Sequence, residues 1–450
     1  MRFLPDSHAP SVTVVGFGYV GSCLGVTLAE RGLRVTGVDS NRALVDELRD
    51  GRCPIPEPGL ADAVARLAGS GRFTCTTGYE DAGATDVVVI TVGTPVGPDH
   101  RIVTDQLEEA CKRLATRLRR GQLVVVKSTV PPGTTRELVL PLLERSGLVA
   151  GRDFGLAYCP ERLAQGSALR QLAELPVVVG GYDPESTAAA VQFWKQALDV
   201  PVQTLPGLET AEVVKLASNW WIDVNVALAN ELAQFCAPHG VDVLDVIAAA
   251  NALPKGEGRV NILLPSVGVG GSCLTKDPWM AWRAAADRGI ALETVETARR
   301  VNDAMPTRAG QLIADELAAL GKAPAECTVA VLGVAFKSNT GDLRDTPVVG
   351  VVDALRATGA AVRLFDPLAD PADVEARFGA RPVASVEAAV SGVDAIAILA
   401  GHQEFHRLDF ARLRAEVAMP CLIFDGRMYY PPDTIADLTS LGYRYRGVGR

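Results

Sequence analysis

The stretch S-V-T-V-V-G-F-G-Y-V-G, residues 11–21, decides how this chain folds. Its first half is a run of apolar and β-branched residues, which favours a buried β-strand over residues 11–15. The run leads into a G-x-G-x-x-G pattern, whose glycines are Gly16, Gly18 and Gly21. Because glycine has no Cβ, its backbone can take positive φ and lie directly against a ligand. The stretch therefore predicts a strand that turns tightly into a ligand-binding loop.

The residues that follow complete a larger pattern. A helix of small residues is predicted over Ser22–Arg31 and a second strand over Arg34–Val38, and Asp39 ends that strand. A strand, glycine turn, helix, strand and acid in this order form the dinucleotide-binding fingerprint, in which the helix N-terminus favours the pyrophosphate. Asp39 is expected to accept hydrogen bonds from the ribose hydroxyls and to repel a 2′-phosphate. The predicted cofactor is therefore NAD rather than NADP.

Length and composition narrow the class of protein. A chain of 450 residues predicts two or three domains, and a net charge of −9 argues for a soluble protein without a nucleic-acid-binding surface. No apolar run approaches the roughly 18 residues of a membrane span. The opening is polar within six residues, which predicts no secretory signal. Nine scattered cysteines without a C-x-x-C predict neither a disulfide framework nor a zinc site, and they fit a cytoplasmic location.

Further strands recur at the spacing of an α/β fold, and their continuous apolar character predicts a parallel sheet buried on both faces. They cover Asp86–Val92, Gln122–Ser128, Gly155–Cys159, Pro176–Gly180 and Val200–Thr204. Helices are predicted between them, over Thr104–Arg119 and Gly133–Glu144. From Glu209 to Cys236 there is no proline or glycine, and apolar residues recur at helical spacing, which predicts one long, largely buried helix.

The last third of the chain repeats the α/β pattern. A helical block is predicted over Trp279–Asp303 and a connecting helix over Thr307–Leu320. Strands are then predicted at Thr328–Leu332, Ala361–Phe365, Asp394–Leu399 and Cys421–Asp425, with a helix over Val348–Thr358. This predicts a second Rossmann-like domain that lacks the glycine fingerprint. The predicted fold class is α/β, with an N-terminal Rossmann domain (1–204), a central long-helix region (205–306) and a C-terminal Rossmann-like domain (307–450).

The stretch S-V-G-V-G-G-S-C-L-T-K-D-P-W, residues 266–279, is the strongest candidate for chemistry in the central region. Gly268, Gly270 and Gly271 precede Cys273, and Lys276 and Asp277 follow it. A cysteine at the end of such a loop, with a lysine three residues on, has a route to a lowered pKa and hence to a nucleophilic thiolate. The alternative is a tight glycine turn beside a buried, inert cysteine.

Other polar residues leave a functional and a structural interpretation open. The turns Val92–Pro95 and Ser128–Gly133 put hydroxyls at the ends of two strands, where open α/β sheets bind ligands, but they also read as ordinary loops. Lys215 and Asn219 share a face of the long helix, where most polar residues are solvated or make packing hydrogen bonds. His402 and His406 have the spacing of a metal pair, yet no Cys, Asp or Glu cluster completes a site, so no metal is predicted.

The chain resembles the nucleotide-sugar 6-dehydrogenases, the UDP-glucose and UDP-N-acetylhexosamine (mannosamine or glucosamine) dehydrogenases, over nearly its whole length. The resemblance is carried by ten motifs in family order. They are G-F-G-Y-V-G (16–21), V-D (38–39), V-G-T-P (92–95), S-T-V-P-P-G-T (128–134), C-P-E-R (159–162), E-x-x-K-x-x-x-N (212–219), A-N-E-L-A (229–233), G-G-S-C-L-T-K-D (270–277), G-V-A-F-K-x-x-T-x-D-x-R (333–344) and F-D-G-R (424–427).

This resemblance implies a four-electron oxidation of the sugar C6 alcohol to a carboxylate by two NAD⁺ in turn, through a thiohemiacetal and a thioester on Cys273. Lys215 and Asn219 are implied to stabilise the oxyanion. Asp277, with Lys215 and Thr129, is implied to accept the proton of the alcohol and to position a water. Glu161 is implied to assist hydrolysis of the thioester. The resemblance also implies that the central region mediates dimerisation and that the C-terminal domain binds a UDP-sugar or, alternatively, a dTDP-sugar. Polysaccharide biosynthesis, for a capsule or a cell wall, is one pathway that it allows, and the formation of secondary-metabolite sugars is another.

The binding residues are predicted in two sets. Besides the fingerprint glycines and Asp39, the cofactor set comprises Tyr19, Val20, Arg42, Thr94, Pro95, Ser128, Thr129, Lys276 and Arg344. The substrate set comprises Glu161, Arg162, Leu163, Lys215, Asn219, Gly268, Gly270, Gly271, Phe336, Lys337 and Arg427, with Arg259 reaching the substrate of a neighbouring subunit in a homodimer or higher homo-oligomer.

The substrate signatures are mixed. C-P-E-R (159–162), D-V-N-V-A-L-A-N-E-L (223–232) and R-V-N (259–261) resemble the N-acetylhexosamine branch, whereas Ser272 and Lys276 resemble the glucose branch. Gln165 stands where the glucose branch has a carboxylate, so this chain lacks the charge that makes a cofactor or sugar contact in that branch. Two alternatives stay open. One is a two-electron hydroxyacid dehydrogenase of the 6-phosphogluconate dehydrogenase class, which needs no cysteine, and the other is a nucleotide-sugar-binding regulator without turnover.

Overall fold

A computed structural model describes residues 3–4 and 8–450 of the chain. Part of the polar opening considered above, residues 1–2 and 5–7, lies outside the described residues. The chain forms two compact units, one of residues 1–218 with 279–290 and the other of residues 219–278 with 291–450. The three-part division at residues 204 and 306 stays a prediction.

The first unit is built on an eight-stranded sheet with the strand order β3-β2-β1-β4-β5-β6-β7-β8. Its strands are Val12–Val15 (β1), Val35–Val38 (β2), Phe73–Thr76 (β3), Val87–Ile90 (β4), Leu123–Val126 (β5), Gly155–Tyr158 (β6), Val177–Gly181 (β7) and Val202–Leu205 (β8). The helices are Tyr19–Glu30 (α1), Arg42–Arg49 (α2), Leu60–Leu67 (α3), Asp105–Ala115 (α4), Leu140–Glu144 (α5), Ala168–Glu174 (α6) and Pro184–Leu198 (α7). Apolar cores cover both faces of the sheet, which explains why its central strands are fully buried.

Two features of this sheet differ from the predictions. The sheet is not wholly parallel, because β7 pairs antiparallel with β6 and only β8 runs parallel to β7. The chain returns through α6 at the same end of the sheet, and such a connection joins antiparallel neighbours. The predicted helix over Gly133–Glu144 is a π-helical segment, Thr135–Val139, followed by the short α5.

The long helix is present as Leu208–Cys236 (α8), and it contains residues of both units. The second unit continues with Val243–Asn251 (α9), the hairpin strands Pro254–Lys255 (β9) and Gly258–Arg259 (β10), and the helix Glu293–Ala319 (α11). The helix Asp277–Ala286 (α10) begins in the second unit, and from residue 279 on it belongs to the first. The predicted helical block at 279–303 and the separate connecting helix at 307–320 are therefore wrong. The break falls at Gly289, whose φ is +73°, and α11 runs through Pro306, which packs on Gly268 and Gly350.

The second sheet is fully parallel with the order β12-β11-β13-β14-β15. Its strands are Thr328–Leu332 (β11), Ala361–Phe365 (β12), Ala395–Ile398 (β13), Leu422–Asp425 (β14) and Arg444–Gly447 (β15). Its helices are Val348–Ala357 (α12), Pro371–Phe378 (α13), Val386–Val390 (α14), Phe410–Leu413 (α15) and Pro432–Ser440 (α16). In each sheet the strand order reverses beside the first strand, between β1 and β4 and between β11 and β13, and ligands of open α/β sheets bind at such switch points.

Candidate active site

The switch point of the first sheet opens into a crevice of about 560 Å³. Its lining is Val15, Gly16, Gly18, Val38, Asp39, Ser40, Thr77, Tyr79, Thr91, Val92, Gly93, Asp105, Gln106, Glu109, Ala110 and Arg113. Gly16 has a φ of +88°, and a Cβ there would lie 2.7 Å from the amide nitrogen of Val92. A Cβ on Gly21 would lie 2.1 Å from the Gly16 carbonyl oxygen. Only glycine fits these two positions. Because the turn carries no side chains there, its backbone can approach a ligand closely.

Asp39 is held rigidly in this crevice. The Phe17 amide donates to Asp39 Oδ2 at 2.7 Å, and the Asn41 amide donates to Oδ1 at 2.8 Å. These bonds orient the carboxylate within the glycine turn and leave it acceptor capacity toward hydroxyl groups. The crevice fits a dinucleotide with an unphosphorylated ribose, because it combines a glycine turn, a helix N-terminus and a fixed acid.

Sequence reasoning missed the far wall of the crevice. Asp105, Gln106 and Glu109 lie on α4, as does Arg113, whose guanidinium carbon is 5.9 Å from the centre of the Tyr79 ring. Arg113 also pairs with Glu109 at 2.6 Å. The order of the elements could have predicted this wall, because α4 follows β4, the strand at the switch point, and the first turn of such a helix faces that edge of the sheet.

The two hydroxyl-bearing turns are joined at the carboxyl edge of the sheet. Thr94 Oγ1 donates to the Thr129 carbonyl at 2.6 Å, and Ser128 Oγ donates to the Val92 carbonyl at 2.7 Å. Glu212, on α8, accepts from the amides of Gly133 and Thr135 at 2.6 and 2.8 Å, although burial raises its pKa. The turns thus form one rigid edge next to the crevice rather than two separate loops.

A buried charge cluster lies at the ends of β5 and β6. Lys215 Nζ is 3.9 Å from Glu161 Oε2, and both residues are buried. Lys127 lies behind them, with Nζ 3.4 Å from the Cys159 carbonyl and 3.5 Å from that of Pro160. Burial lowers the pKa of Lys127, and the charge of Glu161 opposes that shift. The cluster therefore holds the Glu161 carboxylate near the amine of Lys215 in a buried setting, with the amine of Lys127 bonded to the backbone just before Glu161.

The cysteine loop of the second unit has a geometry that requires its glycines. Gly268 and Gly271 have φ of +135° and +84°, and a Cβ on Gly271 would lie 2.6 Å from the Phe336 ring. A Cβ on Gly270 would lie 2.5 Å from the Asp345 carbonyl oxygen. Cys273 is exposed at the end of this loop, whereas seven of the other eight cysteines are buried and Cys53 is half-buried. The alternative of a buried cysteine is therefore wrong, and the catalytic role of Cys273 stays a prediction.

Asp277, four residues after this cysteine, contacts two other predicted catalytic or binding residues. Asn219 Nδ2 donates to Asp277 Oδ2 at 2.5 Å, and Lys276 Nζ donates to Asp277 Oδ1 at 2.6 Å. Asp277 is fully buried, and its amide donates to the Cys273 carbonyl at 2.8 Å. The carboxylate is thus fixed between an amide and a cation, directly after the turn that presents the thiol.

Loops of the second sheet carry two arginines that contact the cysteine loop or the loop of Phe336. Arg427 Nη1 donates to the Phe336 carbonyl at 2.5 Å, and Nη2 donates to the Gly268 carbonyl at 2.7 Å. Burial lowers the pKa of Arg427. Arg344 pairs with the carboxylate of Asp342, and its carbonyl accepts from the Gly271 amide at 3.1 Å. The loop that carries Phe336 and Lys337 is thereby tied to the cysteine loop within one unit.

Three family models match successive parts of the chain. They describe the NAD binding domain (residues 10–198), the central domain (209–304) and the UDP binding domain (330–432) of the UDP-glucose/GDP-mannose dehydrogenase family. The UDP-N-acetyl-D-mannosamine dehydrogenase of Pyrococcus horikoshii is 32% identical and is matched over 98% of this chain and 99% of its own length. The chain belongs to the UDP-glucose/GDP-mannose dehydrogenase family.

Two further relatives differ in the sugar that their names give. The NDP-N-acetyl-D-galactosaminuronic acid dehydrogenase of Ralstonia solanacearum is 35% identical, over 91% of this chain and 95% of its own. The solved UDP-glucose dehydrogenase of Pyrobaculum islandicum is 33% identical with a TM-score of 0.85, over 99% of both chains. The chain is thus an enzyme of an NAD-dependent UDP-sugar dehydrogenase family, and relatives at about equal distance differ in their sugar.

Family membership confirms the predicted fold class and NAD as the cofactor. It also favours the dehydrogenase over the hydroxyacid dehydrogenase and regulator alternatives. Among the individual cofactor-binding residues, Gly16, Gly18 and Asp39 line the crevice. Tyr19, Val20 and Gly21 lie in the first turn of α1, where the Tyr19 hydroxyl donates to Glu57 at 2.5 Å. Arg42 is exposed at the start of α2, and the cofactor roles of these side chains stay predictions.

The remaining predicted residues of this dehydrogenase lie as follows. Arg162 donates to the Pro176 carbonyl, and Leu163 donates its amide to Glu161. Arg259 is exposed on the β9–β10 hairpin. His402 is buried and bonded through both ring nitrogens, whereas His406 is exposed, so the two do not form a metal pair.

Two negative findings concern the described residues only. Within residues 3–4 and 8–450, no group of three or more His, Cys, Asp or Glu side chains is arranged to hold a metal ion. Over the same residues, none of the helices combines the length and the apolar character that crossing a lipid bilayer requires.

Proposed function

We propose that this enzyme oxidises the C6 hydroxyl of a UDP-hexose or UDP-N-acetylhexosamine to the carboxylate, in two hydride transfers through a covalent intermediate on Cys273. The observation that carries the proposal is the exposed thiol of Cys273 on a loop whose conformation its glycines impose. A dehydrogenase that removes only two electrons has no use for a nucleophile, whereas aldehyde oxidation does.

The first half of the reaction needs a base. NAD⁺, when bound, accepts a hydride from C6 in each oxidation. We assign removal of the alcohol proton to Lys215 and Asp277, with a water positioned by Thr129, and donation to the alkoxide oxygen to Asn219. The hydrogen bond between Asn219 and Asp277 supports this assignment, because it fixes both groups in advance of the reaction.

The second half uses the thiol. The Cys273 thiolate adds to the C6 aldehyde, forming a C–S bond, and the resulting oxyanion takes hydrogen bonds from Lys215 and Asn219. Loss of the second hydride yields a thioester. Water, activated by Glu161, breaks the C–S bond and releases the carboxylate and the thiol. The net reaction consumes one alcohol, two NAD⁺ and one water, and it yields one carboxylate, two NADH and three protons.

A substrate panel tests this reaction. We expect two NADH per sugar consumed, with UDP-N-acetylhexosamines ahead of UDP-glucose and dTDP-sugars behind both. The motifs C-P-E-R (159–162) and R-V-N (259–261) support the order of the two UDP-sugar classes. A stoichiometry of one NADH would contradict the four-electron route, and absence of NADH across the whole panel would remove the proposed function.

The variant Cys273→Ser tests the covalent step. We expect overall turnover to fall by several orders of magnitude, since the variant loses the nucleophile and keeps the shape of the site. The matched control is Cys53→Ser, which changes a half-buried thiol of the first unit and should keep full turnover. Full turnover in Cys273→Ser would exclude the thioester.

We further propose that the enzyme is a homodimer or a higher homo-oligomer. Three large apolar side chains, Trp221, Leu228 and Phe235, are spaced seven residues apart on α8, and they are 47%, 44% and 68% exposed. Leu253 and Leu264 are also exposed in the same unit, at 60% and 44%. A stripe with heptad spacing is typical of a helix that packs on a second helix, and the commonest partner of this kind is a second copy in a C2 dimer.

A further inference from the structure

One residue singled out by the sequence has no part in the chemistry above. His402 follows β13 at the switch point of the second sheet, and its side chain is 1% exposed. His406, its neighbour one turn on, is exposed. A buried histidine of this kind must have both ring nitrogens satisfied, and its partners show what it does.

The hydrogen bonds of His402 fix its tautomer. The Asn339 amide donates to Nδ1 at 2.8 Å, so Nδ1 carries no proton. Nε2 therefore holds the proton and donates to Asp366 Oδ2 at 3.0 Å. Asp366 is immobile in turn, because it also accepts from the amides of Val334 at 2.7 Å and Leu368 at 2.9 Å. His402 thus links the fixed carboxylate of Asp366, at the end of β12, to the backbone amide of Asn339.

That amide belongs to the segment Phe336–Asn339, here called the Lys337 loop. Asn339 has a φ of +58°, in the left-handed region that asparagine adopts more readily than most residues with a side chain, and its surroundings stabilise this conformation. The support comes from two bonds. Its amide donates to His402, and its side-chain oxygen accepts from the Gln403 amide at 2.8 Å.

The other end of the Lys337 loop is fixed by the predicted substrate site. The Phe336 carbonyl accepts from Arg427 at 2.5 Å, and the Phe336 ring lies against Gly271 of the cysteine loop. Gly401, directly before His402, has no room for a Cβ, which would lie 2.8 Å from the Arg427 carbonyl oxygen. The histidine, the arginine and the loop therefore pack as one cluster.

We propose that His402 is a positioning residue for the nucleotide sugar, acting through the Nδ1 acceptor that holds the Lys337 loop in its binding conformation. The inference rests on the proposed function in so far as Phe336 and Lys337 contact the substrate. Loss of the acceptor removes the bond of the Asn339 amide to His402 and one of the two bonds that hold Asn339 in its left-handed conformation, so the loop relaxes and binding weakens.

Two substitutions separate this role from simple core packing. In His402→Asn the side-chain oxygen takes the place of Nδ1 and keeps the acceptor, but the donor to Asp366 is lost. In His402→Gln the amide nitrogen takes the place of Nε2 and keeps the donor, but the acceptor is lost. His406→Gln changes a nearby exposed histidine and serves as the matched control.

The measurements are the dissociation constant of UDP by calorimetry, the KM for the UDP-sugar and the KM for NAD. We expect His402→Gln to weaken UDP binding and raise the sugar KM by about tenfold, the effect of one lost hydrogen bond. His402→Asn should stay within about threefold of the wild type, although both variants lose thermal stability. His406→Gln should change nothing, and the KM for NAD should stay constant in all three.

Several outcomes would overturn the inference. Equal weakening in His402→Asn and His402→Gln would indicate a packing role only, and unchanged UDP binding in His402→Gln would exclude any positioning. If His402→Gln does not fold, hydrogen exchange of residues 334–342 in the wild type decides the question, because the inference requires this exchange to slow when UDP is added. Failure of the proposed function appears separately, as wild-type enzyme that makes no NADH from any sugar.

Discussion

Gly271 shows how much one missing methyl group matters for this enzyme. Its φ is +84°, and a Cβ would lie 2.6 Å from the ring of Phe336, so a side chain here meets both strain and a clash. The clash pushes on the two loops that carry Cys273 and Lys337. Glycine at this position is therefore a requirement of the site and not only of the turn.

The substitution Gly271→Ala should lower kcat at least tenfold and change the rate at which Cys273 reacts with an alkylating agent. The strain alone is worth about 1–2 kcal/mol of unfolding free energy. Gly289→Ala is the matched control, since its φ is +73° and no atom lies within 4 Å of its Cβ position. The control should lose stability and keep kcat. Unchanged turnover in Gly271→Ala would contradict the coupling of the two loops.

At the scale of elements, a buried ion pair joins the two longest helices. Arg299 of α11 is 2% exposed, and its Nη1 lies 2.7 Å from Asp223 Oδ1 of α8. Asn302 also donates to Asp223 Oδ1, at 2.9 Å. Burial raises the pKa of the Asp223 carboxyl, which the Arg299 guanidinium opposes. Removal of only one partner therefore leaves a buried, unpaired charge and destabilises the fold.

We expect Arg299→Met to lower the free energy of unfolding by about 3–5 kcal/mol, because Asp223 is left as a buried, uncompensated charge. The double variant Asp223→Asn/Arg299→Met should recover most of this loss, since the neutral amide keeps an acceptor for Asn302. Denaturant unfolding of the single and double variants gives the comparison. Additive losses in the double variant would show that the charge is not the cause.

A second element, the turn between α5 and β6, predicts a pH dependence. Asp153 accepts from Arg152, from the Val149 amide and from Arg120, and these partners lower its pKa to about 2. A carboxyl whose folded pKa is depressed stabilises the fold above its unfolded pKa, near 4, and this contribution disappears as the pH falls toward 2.

The substitution Asp153→Asn should therefore cost stability at pH 5–7 and almost none near pH 2. The measurement is the difference in unfolding free energy between wild type and variant as a function of pH. Asp183→Asn, which changes a helix-capping carboxylate nearby in the same unit, is a control for general acid effects. A difference that does not depend on pH would contradict the assigned pKa.

At the scale of the whole molecule, the stripe of Trp221, Leu228 and Phe235 predicts the assembly state. The double substitution Leu228→Glu/Phe235→Glu should convert the oligomer to a monomer, because like charges then replace apolar contacts on both copies. Light scattering after gel filtration measures the mass. A surface control is Val103→Glu, an apolar residue that is 38% exposed in the first unit. A wild-type protein that runs as a monomer would remove the proposed dimer.

Much of this fold is determined locally, and the sequence alone was enough for it. The glycine turn after β1, the acid that ends β2, the uninterrupted helix α8 and the second strand–helix repeat all follow from side-chain periodicity and from glycine chemistry. These signals act between residues within a few turns or strands of one another. The motif order was also sufficient to indicate the family, which the comparisons confirm.

Tertiary structure decided what depends on distant segments. Pro306 reads locally as a helix end, yet α11 continues through it because Pro306 fits against two glycines. The edge strands β3 and β15 have mixed polarity, and only their pairing makes them strands. The exposure of Cys273, the bond between Asn219 and Asp277, and the partners of His402 have the same origin. Burial and hydrogen bonding are properties of contacts between segments far apart in the chain, and a local pattern carries no information about them.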